Sequence, residues 1–108
     1  MIYEIRQYEA AEAKAEAMRE RFINEVASRF FPRHGIELVG AFVGLNEDGR
    51  LTYIVRFVDE AARAKAWAAF SADPEWTKVK SASELSGPLV ERQSATVLSP
   101  MISGLILD

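Results

Sequence analysis

Residues 37–45, ELVGAFVGL, and 51–58, LTYIVRFV, are two runs of β character that carry apolar side chains on both faces. In the first, Val39, Ala41, Val43 and Leu45 oppose Leu38, Gly40 and Phe42. In the second, Tyr53, Val55 and Phe57 oppose Ile54 and Val58. A small antiparallel sheet normally leaves one face in water, which shows as polar–apolar alternation. Neither face is written for water here. The helices of one short chain can cover one side only, so the other side needs apolar cover, and a second copy of the chain is its simplest source. The intervening NEDGR predicts a tight hairpin, with Asp48-Gly49 supplying the positive φ such a turn needs.

The rest of the chain fits around this pair. Ile2 to Tyr8 reads as a strand, with Ile2, Glu4, Arg6 and Tyr8 on one face and Tyr3, Ile5 and Gln7 on the other. Residues 9–31, EAAEAKAEAMRERFINEVASRFF, are rich in good helix formers. Met18, Phe22, Val26 and Phe30 recur every fourth residue as a buried stripe, with Arg21, Glu25 and Arg29 spaced i, i+4 on the outside. Pro32 is expected to stop this helix and to bias Phe31 away from helical geometry, and Gly35 to free the turn that follows. Asp59 and Glu60 open a second helix over 60–72, with Ala62, Ala66 and Phe70 on one stripe and Trp67 beside it. Asp73, Pro74 and Glu75 then form a helix-start signal, for a short helix reaching about Ser83. QSATVLS, residues 93–99, reads as the last strand. The order predicts an α+β fold, the ferredoxin-like βαββαβ plan, with a four-stranded antiparallel sheet and its helices on one face.

Composition narrows the function classes. A chain of 108 residues is one domain. Its net charge of −3, with basic residues spread among acids, argues against nucleic acid as a partner. With no cysteine there is no disulfide, thiol nucleophile or cysteine metal site, which fits a cytoplasmic location. The single histidine, His34, excludes a histidine-rich metal centre, and no metal is expected. MIYEIRQYEA is not a secretory leader, and no run is long enough to span a bilayer. The domain is expected over residues 1–100, and the apolar tail 101–108, MISGLILD, is expected to dock on its own or a partner subunit.

MIYEIRQYEA before a long helix, RHGIELVGAF entering the second strand and ADPEWTKVK after the second helix together resemble the NIPSNAP family, across nearly the whole chain. The resemblance implies a ferredoxin-like subunit in a dimeric α/β barrel, two sheets packed face to face, and a short bacterial member. The family has no generally assigned reaction, so no catalytic residue is carried over. Related barrels include haem-binding proteins, cofactor-free monooxygenases and stress-responsive binding domains; these are analogies of fold.

A pocket in such a fold lies between the sheet and its helices or at the dimer seam, and Tyr3, His34, Arg56, Trp67, Trp76 and Arg92 are the candidates to line it. His34 has a side chain that titrates near neutrality, which suits a general base or an axial haem ligand. Its plainer reading is a polar residue at a helix end. Trp67 and Trp76 are expected to stack a ligand or simply to pack helices on the sheet. Tyr3 and Tyr53 are expected to share a sheet face. Glu4, Arg6 and Arg56 are charges inside buried-type strands; Glu4 or Arg6 is expected to reach Arg56, either as a register-setting bridge or as part of an anion site that Arg56 or Arg92 completes. The expected function is a homodimer binding a small, partly apolar molecule in a sheet–helix pocket. Cofactor-free oxygenase- or isomerase-like chemistry would use His34 as base, a tyrosine to orient substrate and an arginine to stabilise charge. A non-catalytic structural or interaction dimer is the alternative, and haem binding the second alternative; no cofactor is required by the leading reading.

Overall fold

The computed structural model describes residues 1–102, apart from the side chains of Glu47 and Asp48. The elements are β1 (Ile2–Ala10), α1 (Ala15–Arg21), a π-helical stretch (Phe22–Phe30), α2 (Phe31–Arg33), β2 (Glu37–Gly44), β3 (Glu47–Phe57), α3 (Glu60–Ala72), α4 (Pro74–Ser83) and β4 (Val90–Leu98). The four strands form one antiparallel sheet in the order β2-β3-β1-β4, the ferredoxin-like arrangement. Register places Ile2, Glu4, Arg6 and Tyr8 of β1 opposite Phe57, Val55, Tyr53 and Leu51 of β3. Those β3 residues are buried, so this is the face the helices cover, and the assignment of the two β1 faces stands. The apolar tail expected from residue 101 onward lies outside the described residues except for Met101 and Ile102, which are exposed.

The long helical segment, residues 15–33, differs in three ways from its sequence reading. It starts later, because pairing with Arg50 and Val90 draws Glu9 and Ala10 into β1. Its middle is π-helical: the Phe31 N–H reaches back five residues to the Val26 carbonyl. A stripe spaced strictly by four drifts by about 40° per step around a 3.6-residue helix; the wider π turns reduce that drift, and Met18, Phe22, Val26 and Phe30 are all buried. Third, Phe31 is helical and Pro32 lies within the last turn. The His34 N–H returns to the four-residue spacing with the Phe30 carbonyl at 3.1 Å, so Pro32, which has no N–H, falls where the ladder changes register. The stop is made further on. Gly35 takes φ +70°, Ile36 N–H bonds the Phe31 carbonyl at 2.9 Å and Gly35 N–H the Pro32 carbonyl at 3.4 Å, a Schellman ending.

The hairpin and β2 also depart from expectation. The chain reverses at Leu45 and Asn46, between paired Gly44 and Glu47, and Asp48-Gly49 lies inside β3, with Gly49 outside the positive-φ region. A bulge between Leu38 and Gly40 shifts the phase of β2. Leu38, Ala41 and Val43 therefore follow Val55, Tyr53 and Leu51 to the helix side, and the simple alternation read from the sequence fails there. Phe42 folds back over Gly40, where an added Cβ would lie 2.8 Å from the ring. Arg21, expected outside, turns inward to Glu84. The two helix caps stand as read: Asp59 accepts from Ala62 N–H at 2.8 Å and Asp73 from Glu75 N–H at 2.9 Å.

Candidate functional site

A cavity of about 340 Å³ opens between β1, β4, the long helix, α3 and α4. Its position follows from three local patterns. Alternation along β1 turns Arg6 and Tyr8 toward the helices. The stripe of the long helix supplies Met18, Phe22 and Val26 as an apolar wall. Trp76, Lys80 and Glu84, four residues apart through α4 and its cap, share the face of that helix turned to the cavity. Trp67 and Phe70 come from α3, and Glu91, Arg92 and Gln93 from β4.

The floor is built on a buried carboxylate. Glu4 is fully buried; its Oε1 accepts from Arg63 Nε at 2.7 Å and from Trp67 Nε1 at 2.8 Å. Its Oε2 lies 3.4 Å from Arg6 Nε, an ion pair without hydrogen-bond geometry. The Arg6 guanidinium stacks 4.2 Å above the Trp67 ring. One carboxylate thus fixes the indole and two cations at once. Beside them the Tyr8 and Tyr53 hydroxyls are 2.7 Å apart. Burial pushes the Tyr53 hydroxyl well above the ordinary phenol range; Tyr8 adds to the rise and the Arg6 guanidinium opposes it. Tyr53 therefore stays a neutral hydroxyl, while Tyr8 carries its oxygen to the cavity wall. At the α4 side Arg21 stacks on Trp76 at 5.3 Å and donates to Glu84 at 2.7 Å and to Ser83 at 3.0 Å. Trp67, Phe70 and Trp76 form a continuous aromatic wall, with centroids 6.1 Å and 5.0 Å apart along it.

Of the residues expected at a site, the cavity gathers Trp67 and Trp76, together with Arg6, while Arg92 borders it along β4 and pairs in register with Glu9, on the sheet face away from the helices. Tyr3 and Arg56 are cross-strand partners on the opposite face of the sheet, where Arg56 donates to Glu37 at 2.6 Å. The expected bridge from Glu4 or Arg6 to Arg56 is thus corrected: Glu4 faces Val55, one residue out of phase with Arg56, and α3 supplies its arginine, Arg63. Tyr3 and Tyr53 likewise lie on opposite faces, and the tyrosine that meets Tyr53 is Tyr8. His34 stands away from the cavity lining at the end of α2, with Nε2 2.8 Å from Asp73 Oδ2. That oxygen also accepts from Arg33 at 3.0 Å. Burial raises the Asp73 carboxyl, but the bonds from His34, the Glu75 N–H and Arg33 outweigh it and hold the group down at about 2. Tyr8, Arg21, Lys80 and Glu84 also line the cavity, and none of them stands out in the sequence as a site residue. Alternation along β1 does put Tyr8 on the helix face, and Trp76, Lys80 and Glu84 carry a four-residue spacing in the sequence.

A second concavity, about 380 Å³ and almost wholly apolar, lies between the long helix and β2, lined by Ile23, Leu38, Phe42 and Val43 among others. It has few polar groups to orient a ligand, whereas the first cavity combines aromatic walls with converging hydroxyl, guanidinium and ammonium groups. Among the described residues no cluster of three or more histidine, aspartate or glutamate side chains is placed to hold a metal ion, and no helix is long and apolar enough to cross a membrane.

A NIPSNAP family model matches residues 3–103, nearly the whole chain and every strand and helix above except Ile2, the first residue of β1. The chain belongs to the NIPSNAP family. Solved structures agree with this NIPSNAP fold. An Agrobacterium tumefaciens NIPSNAP family protein of unknown function is 26% identical, with a TM-score of 0.76 over 93% of this chain and 87% of that one. A second Agrobacterium tumefaciens NIPSNAP protein is 20% identical, with a TM-score of 0.80 over 97% and 98% of the two chains. A Deinococcus radiodurans protein with the antibiotic biosynthesis monooxygenase-like fold is 17% identical and has a TM-score of 0.67 over 98% of each chain, a likeness of fold alone. No curated protein matches the sequence.

Proposed function

We propose that this NIPSNAP protein binds a small, partly apolar molecule in the cavity between β1, β4 and the helices, and that it does so as a homodimer. The observation that carries the binding reading is the cavity itself: about 340 Å³, within the range of small-molecule sites, with an aromatic wall and polar tips converging on it. Any chemistry there falls to Tyr8, whose hydroxyl is backed by neutral Tyr53 and by Arg6, an arrangement suited to donating a hydrogen bond to a carbonyl or enolate oxygen. His34, bonded to Asp73 and away from the lining, is better placed to hold α4 to the long helix than to act as a base or a haem ligand. Saturation-transfer NMR with a library of aromatic and aliphatic fragments tests the reading. Bound fragments are expected with the parent chain and not with Ser71→Trp, which plugs the cavity from α3. Equal signals from both proteins, or none from the parent, would refute it.

The homodimer is supported by the sheet face that the helices leave open. Ile5 and Ile54 sit side by side there, Phe42 is 55% exposed beside them and Leu98 is 41% exposed. These apolar side chains lie among polar neighbours on the same face, Gln7 bonded to Thr52 and Arg56 to Glu37, and such an apolar centre with a polar rim suits an interaction surface. An interaction dimer without a ligand rests on the same face, and the fragment experiment separates it from the binding reading. Light scattering is expected to give twice the 12.1 kDa chain mass, and Phe42→Asp to reduce it toward one chain. A parent protein that scatters as a monomer would remove the dimer.

A further inference from the structure

We propose that a second copy of the chain completes this cavity: the partner's Leu45, at the tip of its β2–β3 turn, closes the mouth along β4. The inference rests on the homodimer reading above and says what the partner adds to the site.

The mouth lies where the helices stop. Gln93, Ala95 and Val97 point to the helix side, opposite Tyr8, Arg6 and Glu4, yet all three are exposed. Lys80 and Pro88 on the rim are exposed too, whereas Met18, Phe22 and Phe70 at the back of the cavity are buried. The opening therefore runs along β4, one free edge of the sheet, and β2 is the other. Packed sheets keep their strands nearly aligned, so two copies can meet on their open faces about a two-fold axis that runs either across the strands or along them. Charge decides between the two. The open face is charged at both ends, Arg56 with Glu37 at one and Arg50 with Glu9 at the other, with Ile5 and Ile54 between. An axis across the strands reverses the levels and sets Arg50 against the partner's Arg56. An axis along the strands keeps the levels and lays β3 over the partner's β1. Arg50 then meets the partner's Glu9 and Ile54 the partner's Ile5, so opposite charges and apolar groups are matched. The same axis brings β2 beside the partner's β4. Val43 is level with Gln93 through the pairs Val43–Leu51, Leu51–Tyr8 and Tyr8–Gln93. Two residues further on, Leu45 comes level with the partner's Glu91, at the cavity rim. Leu45 is 99% exposed in the single chain, an apolar tip that its own subunit does not cover. Against the second copy it gains the partner's Pro88 and the partner's Val90 as neighbours and shuts water out of the aromatic-walled space.

The test uses the full chain, which has no cysteine, so the only thiols are those introduced. Leu45→Cys with Glu91→Cys is treated with a short bis-maleimide and run on a denaturing gel beside each single variant. Within one chain the two positions lie at opposite edges of the sheet, about 14 Å apart by strand spacing alone, and a bridge there would leave the mass of one chain. The expected product is a discrete band at twice 12.1 kDa, absent from both single variants. Leu45→Cys with Glu37→Cys reports the other axis, which carries the turn over the partner's Glu37. A protein that scatters light as a dimer but cross-links through Glu37, or through neither pair, overturns the inference and leaves the homodimer reading standing. A monomer overturns both. The second readout is the fluorescence of Trp67 and Trp76, the two tryptophans of the chain, which both line the cavity. Leu45→Ser, measured where it scatters as a dimer, is expected to raise quenching by acrylamide about twofold, because a sealing rim keeps solvent from the groups behind it. Unchanged quenching would leave the turn beside the mouth without closing it and overturn its part in the site.

Discussion

Replacing Glu4 by glutamine keeps the shape of the side chain and removes only its charge. Glu4 has no exposed side-chain surface, while its partners Arg63 and Arg6 keep 22% and 23% of theirs. Breaking a fully buried ion pair costs about 3–5 kcal/mol, and the partial exposure of both arginines lets water take up part of that. The individual bonds add up to a similar figure. Charge-assisted hydrogen bonds are roughly twice as strong as neutral ones, so each of the bonds from Arg63 and Trp67 loses about 1 kcal/mol. The new amide N–H₂ also points its donors at Arg6. The sum is about 2–3 kcal/mol, equivalent to a fall in melting temperature of roughly 10–15 °C for a domain of this size. Urea unfolding at fixed protein concentration, followed by circular dichroism, measures it. A double-mutant cycle with Arg63→Gln should show about 1–2 kcal/mol of coupling. A variant within about 0.5 kcal/mol of the parent would mean that Glu4 does not organise the cavity floor.

Asp73 is held at about 2, below its ordinary 3.8, so its contribution to stability is complete above about pH 4 and is lost as pH falls through about 2; Asp73→Asn, which keeps a capping side chain, should flatten the melting temperature across that window. Tyr8→Phe should cost more than Tyr53→Phe, about 2 against about 1 kcal/mol in urea unfolding, because it takes the 2.7 Å partner from the fully buried Tyr53 hydroxyl and leaves it the Arg6 guanidinium alone, while the reverse change leaves Tyr8 open to the cavity; the opposite order would refute the placement of the pair. Gly35→Ala forces an alanine into φ +70° and should cost about 1–2 kcal/mol, although nothing lies within 4 Å of the added methyl. No residue of α4 is buried, and its ends are tied to the long helix through Asp73 to Arg33 and His34 and through Glu84 to Arg21. Its amides should exchange with deuterium well before those of Met18 to Phe30, faster still in 1 M salt, and equal protection would show a tighter packing than these contacts imply.

Local patterns made the element order readable. Asp59 and Asp73 cap helices because short carboxylates before a helix satisfy its first N–H groups, and neither needs information from elsewhere in the chain. The Met18 to Phe30 stripe was readable as buried, but its strict spacing of four also hinted at turns wider than 3.6 residues, and Pro32 masked the hint by looking like a stop. The hairpin was misplaced because Asp-Gly is a strong local turn signal. Pairing of Arg50 with Glu9, and of Gly44 with Glu47, draws Asp48 and Gly49 into the strand instead. The bulge at Val39 has no local marker beyond a neighbouring glycine, and one inserted residue reverses every facing assignment after it.

The site was legible only where parity along a strand decides it. That a buried Glu4 needs a cation follows from its place in β1. That Arg56 cannot be the cation follows once β1 and β3 pair with Glu4 opposite Val55, since adjacent residues point to opposite faces. The true partner, Arg63, lies on a helix whose rotation over the sheet is set by packing, which no pattern within α3 specifies. The cavity obeys the same logic. Its walls come from β1, the long helix, α3, α4 and β4, so its residues meet only through tertiary closure. His34 drew attention as the only histidine, but rarity of a residue type is not a physical force. Arg6, Tyr8 and Lys80 are ordinary residues, and the fold brings them to one aromatic-walled space.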